Sequence, residues 1–370
     1  MNISRTRSAV RVGAILLGVS LVSSVVAGHV EYVGDGERGD PIAFLMEALS
    51  NPVVVAALTA GGIGVVAVIV LYLRLRPLTH DIAVFRQVMV SYSDLVPWLL
   101  RLGFGLPLIG AGFAGYFFAP IVSPTLIGSV PSRLFQIGLG FFLLFGLATR
   151  AAALVGLGVY LLVLLTQSEL LFSLEWIPGF IAIALVGSGR PSADHTLQQV
   201  AAADGTFYGA IDPIHRIAHW LATRLEPYRR YLPTIIRLGM GAAFAFLGLA
   251  EKLLAPSLAL GVVHQYGFSE VTPIPPELWV LGAGLSELAL GIALFVGFFT
   301  RASALTALFV FTLTLFALPN DPVLAHIGLF SLASTLLITG AGPYALDNLL
   351  GATTDSDLHS SSEVVDQGLD

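Results

Sequence analysis

The sequence predicts an all-α, polytopic membrane protein of about ten spans, with two N-terminal spans followed by two tandem four-helix transmembrane bundles. Three observations predict it. The 370 residues are 56% hydrophobic and only 11% charged, whereas a soluble globular chain is about 25% charged. Mean hydropathy is +0.85, and apolar runs recur near the ~20 residues that cross a bilayer as a helix. The alternating segments of ~10 residues that a transmembrane barrel requires do not occur.

Arg5, Arg7 and Arg11 precede the apolar run 12–28. It reads as a retained anchor, or as a cleaved signal peptide with Val25 and Ala27 before the cut. Residues 29–50 read as a short acidic loop, and 52–73 as a span closed by Arg74 and Arg76. After a polar connector come runs at 95–118, 133–148, 150–166 and 174–188, then at 233–254, 277–299, 301–318 and 322–340. The chain thus divides into an anchor region (1–94), a first unit (95–197), a cytoplasmic linker (198–232), a second unit (233–350) and a tail (351–370). The tail is acidic and Ser-rich without Lys or Arg, a composition that predicts disorder. With the N-terminus inside, 15 of the 18 basic residues fall on the cytoplasmic side, and only Arg38, Arg133 and Lys252 fall outside. The positive-inside rule therefore places both termini in the cytoplasm of a multi-pass cell-membrane protein.

Composition also excludes chemistry. Without cysteine there are no disulfides, no thiol catalysis and no Cys-ligated cluster or zinc. No phosphate loop, nucleophile motif or nucleic-acid footprint is present. GAGFAG (110–115) fits G-x-G-x-x-G, but it lies inside a predicted membrane helix with no preceding strand, so helix packing through small residues explains it. HRIAH (215–219) sets His215 and His219 one turn apart with no third ligand, and an amphipathic surface helix accounts for it. No metal is expected.

The second unit opens on RLGMGAAFAFLGLAEKLLAP (237–256), and the first on RLGFGLPLIGAGFAGYFFAP (101–120); the two agree at 8 of 20 positions. GLATRAAAL (146–154) pairs with GFFTRASAL (297–305), and GSGRPSADHTL (187–197) with GAGPYALDNLL (340–350). Three matches in one order predict two homologous units, and an even span number in each makes the copies parallel. Within them the order R-L-G…E-K-L…P, then E…G-x-x-T-R-x-x-A-L, then G-x-G-x-x-x-L-D resembles the DoxX family of small four-helix membrane proteins, in two tandem copies. The resemblance implies a subunit of a quinone-linked membrane redox complex.

The copies differ where charge is costly. Gly115 and Tyr116 stand in the first unit where Glu251 and Lys252 stand in the second, and Gln136 stands where Glu287 does. From Arg237, Lys252 is ~22 Å along the helix at ~1.5 Å per residue, inside a ~30 Å core. Glu287, on the antiparallel span, is ~15 Å deep, so a Lys252–Glu287 ion pair with Glu251 beside it is expected. Such a group could accept a quinone headgroup or a proton, or simply hold two helices together with Lys252 and Glu251 snorkelling outward. His264 and Tyr266, in a predicted outer loop, could line the pocket mouth, although a solvated loop histidine also accounts for His264. His326, one turn into the last span, faces either the bundle interior, where histidine's ability to exchange a proton near neutrality would suit the pocket, or the interface. Arg237, Arg301, Arg150 and Asp347 read as landmarks. The two helix-turn arginines cap carbonyls, and Asp347 terminates the final helix.

Three functions compete. The first is a non-catalytic subunit or assembly partner of a membrane oxidoreductase, in contact with a redox partner protein and the lipid bilayer, with quinone as the one possible cofactor. The second is a small-solute transporter or channel built from two parallel repeats, for which Pro107 is a candidate helix break. The third, a self-sufficient enzyme, has no cofactor motif behind it.

Overall fold

The protein is described by a computed structural model over residues 40–124, 128–208 and 214–350, without the side chains of 214–219. The expectations for 12–28 and for the tail lie outside these residues. The protein is an all-α polytopic membrane protein, and each of the nine spans expected from residue 52 onward coincides with a helix.

The chain enters through α1 (Pro41–Ser50), α2 (Pro52–Leu75) and α3 (Thr79–Ser91). Four helices follow as a first bundle: α4 (Val96–Ala114), α5 (Ser129–Phe145), α6 (Thr149–Leu164) and α7 (Trp176–Val186). The linker holds α8 (Ala193–Ala202) and α9 (Ile214–Leu225), the latter where an amphipathic helix is expected. The second bundle comprises α10 (Leu232–Leu247), α13 (Pro276–Val296), α14 (Thr300–Ala317) and α15 (Val323–Thr339). Between α10 and α13 lie α11 (Pro256–Gln265) and α12 (Phe268–Val271). Five of these helical segments are long and apolar enough to cross a membrane, while α5, α6, α7 and α15 are shorter apolar helices.

Several segments expected as loops are helical. Residues 29–50 read as a loop, yet α1 forms from Pro41. Asp40 accepts from the Ile42 amide at 2.9 Å, and Pro41 occupies the first turn, where its missing N–H costs nothing. Phe44 and Ala48, one turn apart, then bury against α11 and α13. The connector before residue 95 likewise holds α3, and the expected outer loop holds α11 and α12. Such short helices depend on tertiary burial more than on propensity. Pro107 leaves α4 continuous from Val96 to Ala114.

Small residues let the long helices meet closely. A Cβ at Gly105 would stand 3.0 Å from the Gly140 carbonyl oxygen, and one at Gly140 would stand 2.8 Å from that of Gly105, so α4 and α5 touch backbone to backbone. Gly241 of α10 and Gly291 of α13 do the same, at 2.7 and 2.8 Å. Across the bundles, α15 packs on α4 and α10 on α7; Ser331 Oγ donates to the Leu99 carbonyl at 2.7 Å. Gly291→Ala is expected to cost about 1–3 kcal/mol, because backbone cannot yield cheaply. Gly282→Ala in the same helix meets nothing within 4 Å and should stabilise by up to about 1 kcal/mol. Opposite shifts in detergent melting temperature would verify the contact; a shared sign would contradict it.

Candidate functional site in the second bundle

Arginines fix the frame that holds the site. Arg237, in α10 and 2% exposed, fans its guanidinium over the end of α13 and the turn after α15. Its Nε donates to Ala341 O at 3.1 Å, Nη1 to Phe295 O, and Nη2 to Pro343 O at 3.2 Å and Tyr344 O at 2.8 Å. Arg101 in α4 does the same to Leu143, Leu144, Ser188 and Pro191 at 2.6–3.0 Å. Carbonyls at helix ends lack intrahelical donors, and a fork of five N–H groups satisfies several at once. Arg301 bonds Leu337 O and Ile338 O, as Arg150 bonds Ala184 O, the carbonyl-capping role expected of both.

Asp347 departs from expectation. It does not merely end the last helix: its two carboxylate oxygens accept from the Phe299 and Thr300 amides at 2.6 and 2.8 Å, capping the N-terminus of α14. Asp194 caps α6 in the same way through Ala148 and Thr149. Asparagine offers only one acceptor oxygen and no charge to the helix dipole. Asp347→Asn is therefore expected to cost about 1 kcal/mol, seen as a lower melting temperature, with Asp194→Asn following it.

At the opposite end of this frame the bundles diverge. In the first, α4 stops at left-handed Gly115, φ 95°. The chain then turns so that Phe117 and Phe118 plug the interior, with Phe118 edge-on to Tyr160 and Trp176. Gln136 serves this turn with backbone bonds only: its Oε1 accepts from Phe118 N at 2.9 Å, and its Nε2 donates to Leu108 and Tyr116 carbonyls. Arg133 donates to the Gly112 and Phe113 carbonyls, closing α4.

In the second bundle α10 does not stop. It widens into a π-helical turn, Gly248–Leu253, closed by a bond from Leu254 N to Leu249 O at 2.8 Å. Such turns insert a residue and concentrate at functional sites. This one carries Glu251, buried at 2% exposure, and Lys252. Gly248 and Gly284 let α13 approach closely, which brings Glu287 within reach. Lys252 Nζ donates to Glu287 Oε2 at 2.8 Å and stands 3.8 Å from Glu251 Oε2.

His326, buried one turn into α15, joins from the other side. Its ring lies 6.3 Å from that of Phe311, which stacks on Phe244 at 5.3 Å. Its Nε2 is 3.4 Å from Asp321 Oδ2, a buried carboxylate in the α14–α15 link. Asp321 was invisible as a site residue in the sequence, where LPNDP reads as a turn. Its approach to Lys252, whose charge acts on it, emerges only from the fold. His264 is exposed on α11, and no hydrogen bond or ion pair joins it to this cluster among the described residues. Tyr266, at the end of α11, lies against Phe268. No group of three or more His, Asp or Glu able to hold a metal occurs among the described residues.

The DoxX family model matches residues 232–320 as a single segment. That segment runs from the start of α10 to one residue short of Asp321, and so contains Glu251, Lys252 and Glu287. No curated protein and no solved structure matches the chain.

Proposed function

We propose that this protein is a subunit or assembly partner of a quinone-linked membrane oxidoreductase, and that its second bundle meets a quinone headgroup or a proton beside Lys252. One observation carries the reading. A buried carboxylate and a lysine on a π-helical turn meet a second carboxylate from α13 in one bundle, where the other bundle spends the same space on aromatic packing. Charges inside a membrane are costly and mark ligand and proton pathways. Lys252 offers a donor to a carbonyl oxygen, and the Phe244–Phe311 stack supplies an aromatic floor. By the distribution of basic residues, the cluster belongs to the outer half of the membrane.

We also infer that residues 95–197 and 233–350 are two DoxX-like copies. The arginine fans, the paired carboxylate caps and the glycine contacts recur in both, which supports common descent of the units. The first then works as scaffold.

The test is purification in mild native detergent, with co-purifying proteins identified and an organic extract assayed for quinone. Recovery of a redox partner or of quinone is the expected result; recovery of neither overturns the reading. Solute flux into liposomes holding only this protein would instead identify a transporter.

A further inference from the structure

We propose that Asp321 and His326 hold one exchangeable proton between them, forming a proton-binding dyad coupled electrostatically to Lys252. The argument starts with the imidazole. His326 Nδ1 lies 3.4 Å from the Pro322 carbonyl oxygen, which can only accept, so Nδ1 carries a hydrogen. That leaves Nε2 facing Asp321 Oδ2 at 3.4 Å. If Nε2 kept its lone pair and Asp321 its charge, two acceptors would confront each other in a buried site. One proton removes the conflict, as carboxylic acid beside neutral imidazole or as carboxylate beside imidazolium. Both side chains are almost wholly buried, so bulk water cannot relieve the contact.

The surroundings make this proton movable. Burial pushes the Asp321 carboxyl up to about 7, and the Lys252 charge opposes that rise. Among the described residues, the charges placed beside the dyad are those of the ion-paired group. Lys252 comes from the π turn, Glu251 beside it and Glu287 from α13 complete the ion-paired group, and α14 contributes the uncharged Phe311. Loss of the proton turns the neutral acid–imidazole pair into a carboxylate beside neutral imidazole, and the proton leaves to solvent or to a ligand base. This inference rests on the reading of the second bundle as the polar site, but not on quinone as its ligand.

The test is infrared spectroscopy of the full-length protein in detergent, titrated from about pH 5 to about pH 9. A protonated-carboxyl band should vanish with a midpoint near 7. Growth on isotope-labelled aspartate should shift that band, assigning it to Asp without any mutation. Asp321→Asn should delete it, His326→Gln should move its midpoint, and Lys252→Met should move the midpoint upward, because a positive neighbour that favoured the carboxylate is gone. A band that ignores the aspartate label, or one that survives unchanged in Asp321→Asn, overturns the dyad. So does an unaltered midpoint in both His326→Gln and Lys252→Met. If purification yields neither quinone nor partner while the band titrates, the redox reading falls and the dyad stands.

Discussion

Arg237→Met is expected to lower stability by about 4 kcal/mol or more. The guanidinium satisfies four carbonyls from two chain segments, Phe295 at the end of α13 and Ala341, Pro343 and Tyr344 after α15. Methionine fills a similar volume but donates nothing. Each buried acceptor left without a partner costs about 1–3 kcal/mol, and relaxation of the turn recovers only part. Lysine keeps the charge, but as a point donor on a flexible stem it cannot span the fork, so Arg237→Lys should fall between wild type and methionine. Melting in detergent, followed by intrinsic fluorescence, measures the ranking. If methionine and lysine behave alike, the carbonyl fan is not what holds α10 to the rest of the bundle.

The second large effect is asymmetric. Lys252→Met is expected to cost about 3 kcal/mol, at the low end for breaking a buried pair because the partners are 17% and 20% exposed. Glu287→Gln should cost less. After the lysine is removed, Glu251 and Glu287 both lose the cation that stands between them and repel each other. After the glutamate is neutralised, Lys252 still stands 3.8 Å from Glu251. The double variant should be more stable than the sum of the two losses predicts, since it removes both ends of the 2.8 Å bond. Purely additive losses would mean that the two side chains do not interact in solution.

Much of this site was legible in advance. Helix rise from Arg237 and from the start of α13 was enough to bring Lys252 toward Glu287, because both helices are regular over most of that distance. The π turn was not legible, since nothing in LGLAEKLL distinguishes a wider turn from an ordinary one. Asp321 was not legible either. Its importance comes from two partners, His326 five residues away and Lys252 on another helix, and only the first is local. His264 is exposed on α11, in keeping with the solvated histidine that its outer position also allows. Asp347 was assigned to the wrong helix because its acceptor bonds run 47 and 48 residues back along the chain.

The sequence by itself determined the membrane class, the positions of the spanning helices, the unequal charge of the two segments and the carbonyl-capping arginines. These follow from local quantities: apolar length, net polarity and the spacing of landmarks. Only the tertiary structure decided how α10 ends, what Asp347 caps, and that Asp321 and His326 face each other beside Lys252. Those outcomes depend on hydrogen bonds and close glycine contacts between segments tens of residues apart. Their strength comes from burial, which no single stretch of chain specifies.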